Sequence, residues 1–164
     1  AVVRAIMRGA KVIACDMDDE KLAIVRGLGA EYTINSAKEN VHERLQEITQ
    51  GAGPDVVIEA VGAPVTYQMA VNEVAFTGRV VCIGYAKQDV EFTTKLFVQK
   101  ELDIRGSRNA QPEDFEGVIR YLEKNNPPYD ILISNEVNPE QAEEAMKQWM
   151  EAPAKVFRIL VRFS

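Results

Sequence analysis

The sequence predicts an α/β fold built on a doubly wound parallel sheet. Three observations point there. Strand-like and helix-like segments alternate through about residue 100. The runs "DVVIEAVG" and "RVVCIG" are apolar without alternation, the pattern of parallel strands covered on both faces. A third run, "KVIACD", ends on an acid, Asp16, just before a helix start. The 164 residues suit one domain, or one domain plus part of another, and are enough to bury a core.

Each element has a local cause. "AVVRAIMR" reads as a helix that stops at Gly9, and the strand "KVIAC" follows. Asp18 can cap the next helix, with Asp19 and Glu20 at its positive end and the Gly27–Gly29 pair closing it. "EYTIN" is a short strand. Val41, Leu45 and Ile48 recur at helical spacing and mark an amphipathic helix ending at Gly51. The strands "DVVIEAVG" and "RVVCIG" enclose a helix around Met69–Val74. After Gly84 the texture changes: "VEFTTKLFVQKELDIRG" predicts two extended segments and no long helix. "QPEDFEGVIRYLEKN" is a helix with Pro112 in its first turn. "ILISNEV" is extended, a helix runs from Pro139 through Trp149, and "KVFRILVRF" closes as a strand.

Composition narrows the function classes. A net charge of -6 and a pI near 4.9 argue against nucleic acid, because phosphate binding needs clustered Lys and Arg. No apolar run approaches the roughly 18 residues needed to span a bilayer, so no membrane partner is expected. Cys15 and Cys82 each sit inside an apolar strand-like run and read as buried free thiols of a reducing compartment, which makes the cytoplasm the default location. The single histidine, His42, lies on what reads as a solvated helix face. No Cys, His, Asp or Glu cluster has metal-ligand spacing, so the sequence nominates no catalytic residue and no metal ligand.

The candidate site residues lie at strand ends. An acid at the end of the second strand of a dinucleotide-binding unit can accept both ribose hydroxyls, and its charge would repel the 2′-phosphate of NADP. Asp16 fits that place, and it fits a helix-capping or solvated acid as well. Lys21 could reach the same ribose or be a surface charge. Two strands end in glycine, at Val61–Gly62 and Ile83–Gly84–Tyr85, where a bare backbone lets a flat ligand approach. Simple turn chemistry explains either glycine taken singly. Together with Asp16 they fall at carboxyl ends of strands, where open α/β sheets bind ligands.

These segments resemble the medium-chain, zinc-type alcohol dehydrogenases along the whole chain. "GAKVIACDMDDEKLAIVRGLGAEYTIN", "GPDVVIEAVG", "AFTGRVVCIGY", "KELDIRGSRNAQPEDFEGVIRYL" and "KVFRILVRF" carry the likeness. It implies a Rossmann-like NAD-binding domain over residues 1–104 and the C-terminal piece of a GroES-like catalytic domain over 105–164. A glycine-rich phosphate turn belongs about 20 residues before the ribose acid. Fifteen residues precede Asp16, so the sequence is expected to lack the first strand and that turn. The resemblance further implies an NAD-dependent oxidation of a polyol or sugar acid by a homodimer or homotetramer, with zinc held only in the full-length protein and this chain alone inactive. Two other readings stand beside it: a non-catalytic NAD-binding module, and a zinc-free quinone-type reductase of the same superfamily.

By the same resemblance Asp16 and Lys21 would hold the adenosine ribose, and Val61 and Gly62 would wall it. Ile83, Gly84 and Tyr85 would offer backbone groups to the nicotinamide carboxamide, with Arg105 adding a main-chain N–H. Arg158 would face the pyrophosphate, or else be an outward residue on an edge strand. "GSRNA" departs from the polyol pattern and looks closer to the galactonate or gulonate 5-dehydrogenases. There Arg108, with Asn109 beside it, could pair with a sugar-acid carboxylate or simply be a surface arginine. Self-association is expected through a strand over Val90–Gln99 that would otherwise leave a sheet edge exposed.

Overall fold

The computed structural model describes residues 1–125, 129–152 and 156–163. Lys155, first residue of the expected closing strand, lies outside them. The chain divides into two compact units, Ile34–Gly117 with Ala1, and Val2–Thr33 with Val118–Ser164.

In the second of these units, α1 (Val2–Met7) ends at Gly9, whose φ of +79° suits a residue without a side chain. β1 (Ile13–Asp16) leads into α2 (Asp19–Gly27). Asp18 caps α2 as the sequence predicts, accepting from the backbone N–H of Glu20 at 2.9 Å and of Lys21 at 3.4 Å. The chain returns through Gly29, at φ +106°, to β2 (Tyr32–Asn35), which forms a two-stranded sheet with β1 and carries the division between the units.

The other unit begins with α3 (Val41–Thr49), capped by Asn40 and closed by the left-handed Gln50 and Gly51. β3 (Val56–Glu59), α4 (Pro64–Glu73), β4 (Arg79–Cys82), α5 (Lys95–Gln99) and β5 (Asp103–Gly106) follow. The three strands form one parallel sheet in the order β3-β4-β5, with Val57 opposite Val80 and Val80 opposite Ile104. Strand residues alternate faces. Val57, Val80 and Cys82 therefore share one face, where they pack with Ala70 and Val74 of the α4 segment and with Leu102. Lys100 holds the end of α4 by donating from Nζ to the carbonyls of Asn72 and Val74.

α6 (Pro112–Asn125) carries the chain back to the first-described unit. There Tyr121 receives the Arg4 guanidinium 4.0 Å above its ring. β6 (Asn135–Val137) pairs in parallel with β7 (Ile159–Val161). Between them α7 (Ala142–Glu151) starts after a turn in which Asn138 and Gln141 cap each other.

Three expectations change. Lys95–Gln99 is helical, so no strand runs through Val90–Gln99 and its proposed pairing with a second copy loses its basis. Packing overrode the β-rich composition there: Phe97 sets its ring 5.9 Å from Phe92 and its carbonyl accepts from Leu102. The apolar run of β3 is covered on one face only, since α4 shields Val57 and Glu59 while Val56 stays 52% exposed. Neither cysteine is buried and neither forms a disulfide among the described residues: Cys15 is exposed near the end of β1 and Cys82 is partly covered.

This one-sided packing predicts a contrast. Val80→Ala, at a site 1% exposed, costs about 2 kcal/mol of stability, whereas Val56→Ala costs under about 0.5 kcal/mol. Denaturant unfolding of the two variants measures the difference; equal losses would mean both faces are buried.

Candidate functional site

The ends of β3 and β4 meet at two glycines. Gly62 adopts φ +80°, and a Cβ there would lie 2.6 Å from the Tyr85 nitrogen. A Cβ on Gly84 would lie 2.3 Å from the Gly62 nitrogen and 2.5 Å from Glu59 Oε2. Real Cβ atoms do not approach backbone so closely, so the two strand ends cross only because neither bears a side chain. Val61, Ile83 and Tyr85 flank the crossing with largely exposed apolar side chains, Tyr85 at 75%. A bare backbone crossing with an exposed apolar rim suits a flat ligand.

Glu59 lies beneath this crossing. The side chain is 3% exposed, at the last position of β3. Its Oε1 accepts from the N–H of Val61 at 2.9 Å, from the N–H of Gly62 at 2.8 Å and from the Thr66 hydroxyl at 2.7 Å. Its main-chain carbonyl accepts from the N–H of Ile83 at 2.8 Å and of Gly84 at 3.1 Å. Oε2 is buried and has no hydrogen-bond partner among the described residues. Tyr67 holds the next peptide, its hydroxyl donating to the Gly84 carbonyl at 2.7 Å. Desolvation raises the Tyr67 hydroxyl above its ordinary pKa, and the neighbouring Cys82 and Glu59 add to the rise. Burial likewise raises the Cys82 thiol, with the Glu59 charge acting in the same direction, which disfavours the reactive thiolate.

These bonds limit what the segment can offer a ligand. The N–H groups of Ile83 and Gly84 are already engaged by the Glu59 carbonyl. Arg108 joins the same neighbourhood, its guanidinium 5.9 Å above the Tyr85 ring, and Asn109 follows in a left-handed conformation at φ +62°. Arg105 takes a different part. Its side chain binds Asp103 through Nε at 2.9 Å, and Arg79 binds the same carboxylate at 2.8 Å. The hydrogen bonds from Arg105 and then Arg79 hold the Asp103 carboxyl down to about 2.

Asp16, Lys21 and Arg158 belong to the other unit. Asp16 is exposed at the end of β1, and its Oδ1 accepts from the N–H of Met17 at 2.7 Å and of Asp18 at 3.1 Å. Lys21 is half-buried in the first turn of α2. Arg158 is exposed just before β7, and its carbonyl accepts from Ser134 and Asn135. His42 is tied to Glu73 at 2.8 Å on an exposed face. Among the described residues no group of three or more His, Cys, Asp or Glu side chains could hold a metal ion, and no helix is long and apolar enough to cross a membrane.

Sequence reasoning missed Glu59, Thr66 and Tyr67. The signal available was one acid inside the otherwise apolar run "DVVIEAVG".

The profile of one family, described as zinc-binding dehydrogenase, matches residues 1–124. The chain belongs to that family. An uncharacterized zinc-type alcohol dehydrogenase-like protein of Haemophilus influenzae is 33% identical over 138 residues, covering 84% of this chain and 37% of its own length. A sorbitol dehydrogenase of Halalkalibacterium halodurans is 27% identical, with 73% of this chain and 35% of its own covered. An NAD-dependent alcohol dehydrogenase of Sulfurisphaera tokodaii is 28% identical, with 84% and 39% covered. The solved alcohol dehydrogenase TADH of Thermus sp. ATN1 superimposes with a TM-score of 0.89 at 25% identity, over 100% of this chain and 47% of that one. The chain thus spans less than half the length of these relatives, and its fold is that of their NAD-binding portion.

The glycine crossing makes a sharp prediction. Gly84→Ala forces the β3 and β4 ends apart and lowers the melting temperature, while Gly106→Ala, which meets nothing within 4 Å, is tolerated. Thermal unfolding of both variants decides it, and a Gly84→Ala protein as stable as the wild type would count against the crossing.

Proposed function

We propose that the protein containing this chain is an NAD-dependent dehydrogenase that oxidises a secondary alcohol on a polyol or sugar acid. Residues 1–104 serve the nucleotide and 105–164 belong to the catalytic domain. The observation that carries this reading is the side-chain-free crossing of Gly62 and Gly84 at the carboxyl ends of two parallel strands. Asp16 supports it as a carboxylate already oriented by its own turn.

In this reading Asp16 accepts from the adenosine ribose hydroxyls, with Lys21 beside it. Val61 and Gly62 form the wall of the site, and the Tyr85 N–H and the strand-end carbonyls meet the carboxamide. Arg105 contributes through its main chain, since its guanidinium is committed to Asp103. Arg158 serves the pyrophosphate. Arg108, whose guanidinium lies 5.9 Å over the Tyr85 ring, would take a carboxylate of the substrate. Bound NAD supplies the chemistry by accepting a hydride as the alcohol loses its proton and becomes a carbonyl. Among the described residues no group of three or more His, Cys, Asp or Glu side chains could hold the zinc that the family name implies, and the roles proposed for this chain's residues are to bind and orient the nucleotide.

The test uses the full-length protein with a panel of polyols and hexonates. NAD reduction is expected, with NAD preferred over NADP, and Asp16→Ser narrows that preference by roughly tenfold as the charge facing the 2′-phosphate is removed. Tighter binding of NADP by the wild type would refute the role of Asp16. Quinone reduction by a protein without bound zinc would favour the quinone-type reductase, and NAD binding without turnover would favour a non-catalytic module.

A further inference from the structure

Glu59 is not among the residues assigned to NAD, yet the backbone of that proposed site converges on it. An apolar residue would suit this position better on solvation grounds, since the same sheet face buries Val57 and Val80. What a carboxylate adds is one oxygen able to accept several donors. The turn after β3, with Gly62 at φ +80°, leaves two consecutive N–H groups pointing inward, and Oε1 takes both. The Thr66 hydroxyl, from the first turn of α4, completes the set. The Glu59 carbonyl fixes the opposing strand end through Ile83 and Gly84. Five donors from three elements therefore end on this one residue. Oε2 has no hydrogen-bond partner among the described residues and lies against Gly84, where a side chain on that glycine would displace it. Among the described residues the carboxylate is thus held through Oε1, and its second oxygen stands beside the crossing.

We propose that Glu59 is a positioning residue for the cofactor. Its Oε1 sets the Val61–Gly62 turn against Gly84, with Thr66 fixing the carboxylate and Tyr67 holding the Gly84 carbonyl, so that the surface offered to NAD depends on an oxygen acceptor at that place. Hydrogen-bond acceptance does this, not net charge. The proposal rests on the assignment of the Gly62–Gly84 edge to NAD, and its test separates the two.

The full-length protein is compared with Glu59→Gln, Glu59→Leu, Thr66→Val and Tyr67→Phe. Each is measured for melting temperature, for NADH dissociation constant by calorimetry, and for amide hydrogen exchange at Val61, Gly62 and Gly84. In the wild type NADH slows exchange at these amides. Glu59→Leu speeds exchange at Val61 and Gly62 and weakens NADH binding roughly tenfold. Glu59→Gln, which keeps an oxygen in the Oε1 position, recovers most of that loss. Thr66→Val and Tyr67→Phe shift exchange and affinity in the same direction, and they decide the matter if Glu59→Leu does not fold. In turnover, KM for NAD rises while kcat at saturating cofactor changes little. Variants that lose melting temperature but keep wild-type NADH affinity and exchange would show Glu59 to be structural only. Failure of Glu59→Gln to recover the loss would show that charge matters, against the proposal. NADH binding that leaves all three wild-type amides unprotected would overturn the NAD assignment and the proposal with it.

Discussion

The approach of Gly62 to Gly84 sets the terms for the whole sheet end. In a parallel pair, neighbouring strands normally diverge into their connections, because side chains at their last residues need room. Here the Gly84 Cα faces the Gly62 nitrogen at a distance that excludes any Cβ. The crossing costs backbone entropy, glycine being the residue that loses most on ordering. Hydrogen bonds offset that cost: Glu59 secures both strand ends, and Tyr67 closes the Gly84 peptide from the helix side. Tyr85 and Arg108 then project from a fixed base.

That base depends in turn on which face of the sheet α4 covers. Register places Glu59 opposite Cys82 and Cys82 opposite Gly106, all on the face of Val57 and Val80. The same helix that buries the core therefore supplies Thr66 and Tyr67 to the site, because both precede the core residues Ala70 and Val74 along it. The opposite face carries Val56 and Ile58 beside the Arg79–Asp103–Arg105 ion cluster. Those ion pairs are exposed and add little stability. Their effect is to fix the Arg105 side chain away from other partners.

Much of this was legible in the residues. Asp18 before an acid-rich first turn announced the cap of α2, and Gly9 and Gly51 announced helix ends, because each signal is local chemistry. Unbroken apolar runs located β3 and β4. The fold class and family followed from their order, as the match over residues 1–124 bears out. Gly62 and Gly84 could be named singly, but nothing in a linear sequence says that two glycines 22 positions apart touch. Glu59 was hidden for the same reason, the three donors to its side chain coming from the Val61–Gly62 turn and from Thr66 on α4, whose directions only the folded chain defines. Val90–Gln99 misled because Thr, Phe and Val favour strands on average, while here Lys95–Gln99 is helical and Phe97 packs on Phe92. Cys15 misled because an apolar run implies burial only where something covers its end.

Asp16 shows how two readings of one residue can be compatible. Its Oδ1 accepts from Met17 and Asp18, the behaviour of an acid that shapes a turn. Asp18, not Asp16, caps α2, so the turn bonds of Asp16 serve to orient its own carboxylate. A carboxylate oxygen can accept more than one donor, so shaping a turn and accepting from a ribose hydroxyl, as proposed above, are compatible roles. A side chain locked by its own backbone also loses little entropy when a hydroxyl arrives, which raises the yield of each hydrogen bond it then makes. The turn bonds do not neutralise the charge, because backbone amides carry none. In the proposed NAD reading, local structure and ligand selectivity draw on different properties of one group: geometry on the bonds it accepts from its turn, discrimination against a second phosphate on the carboxylate charge.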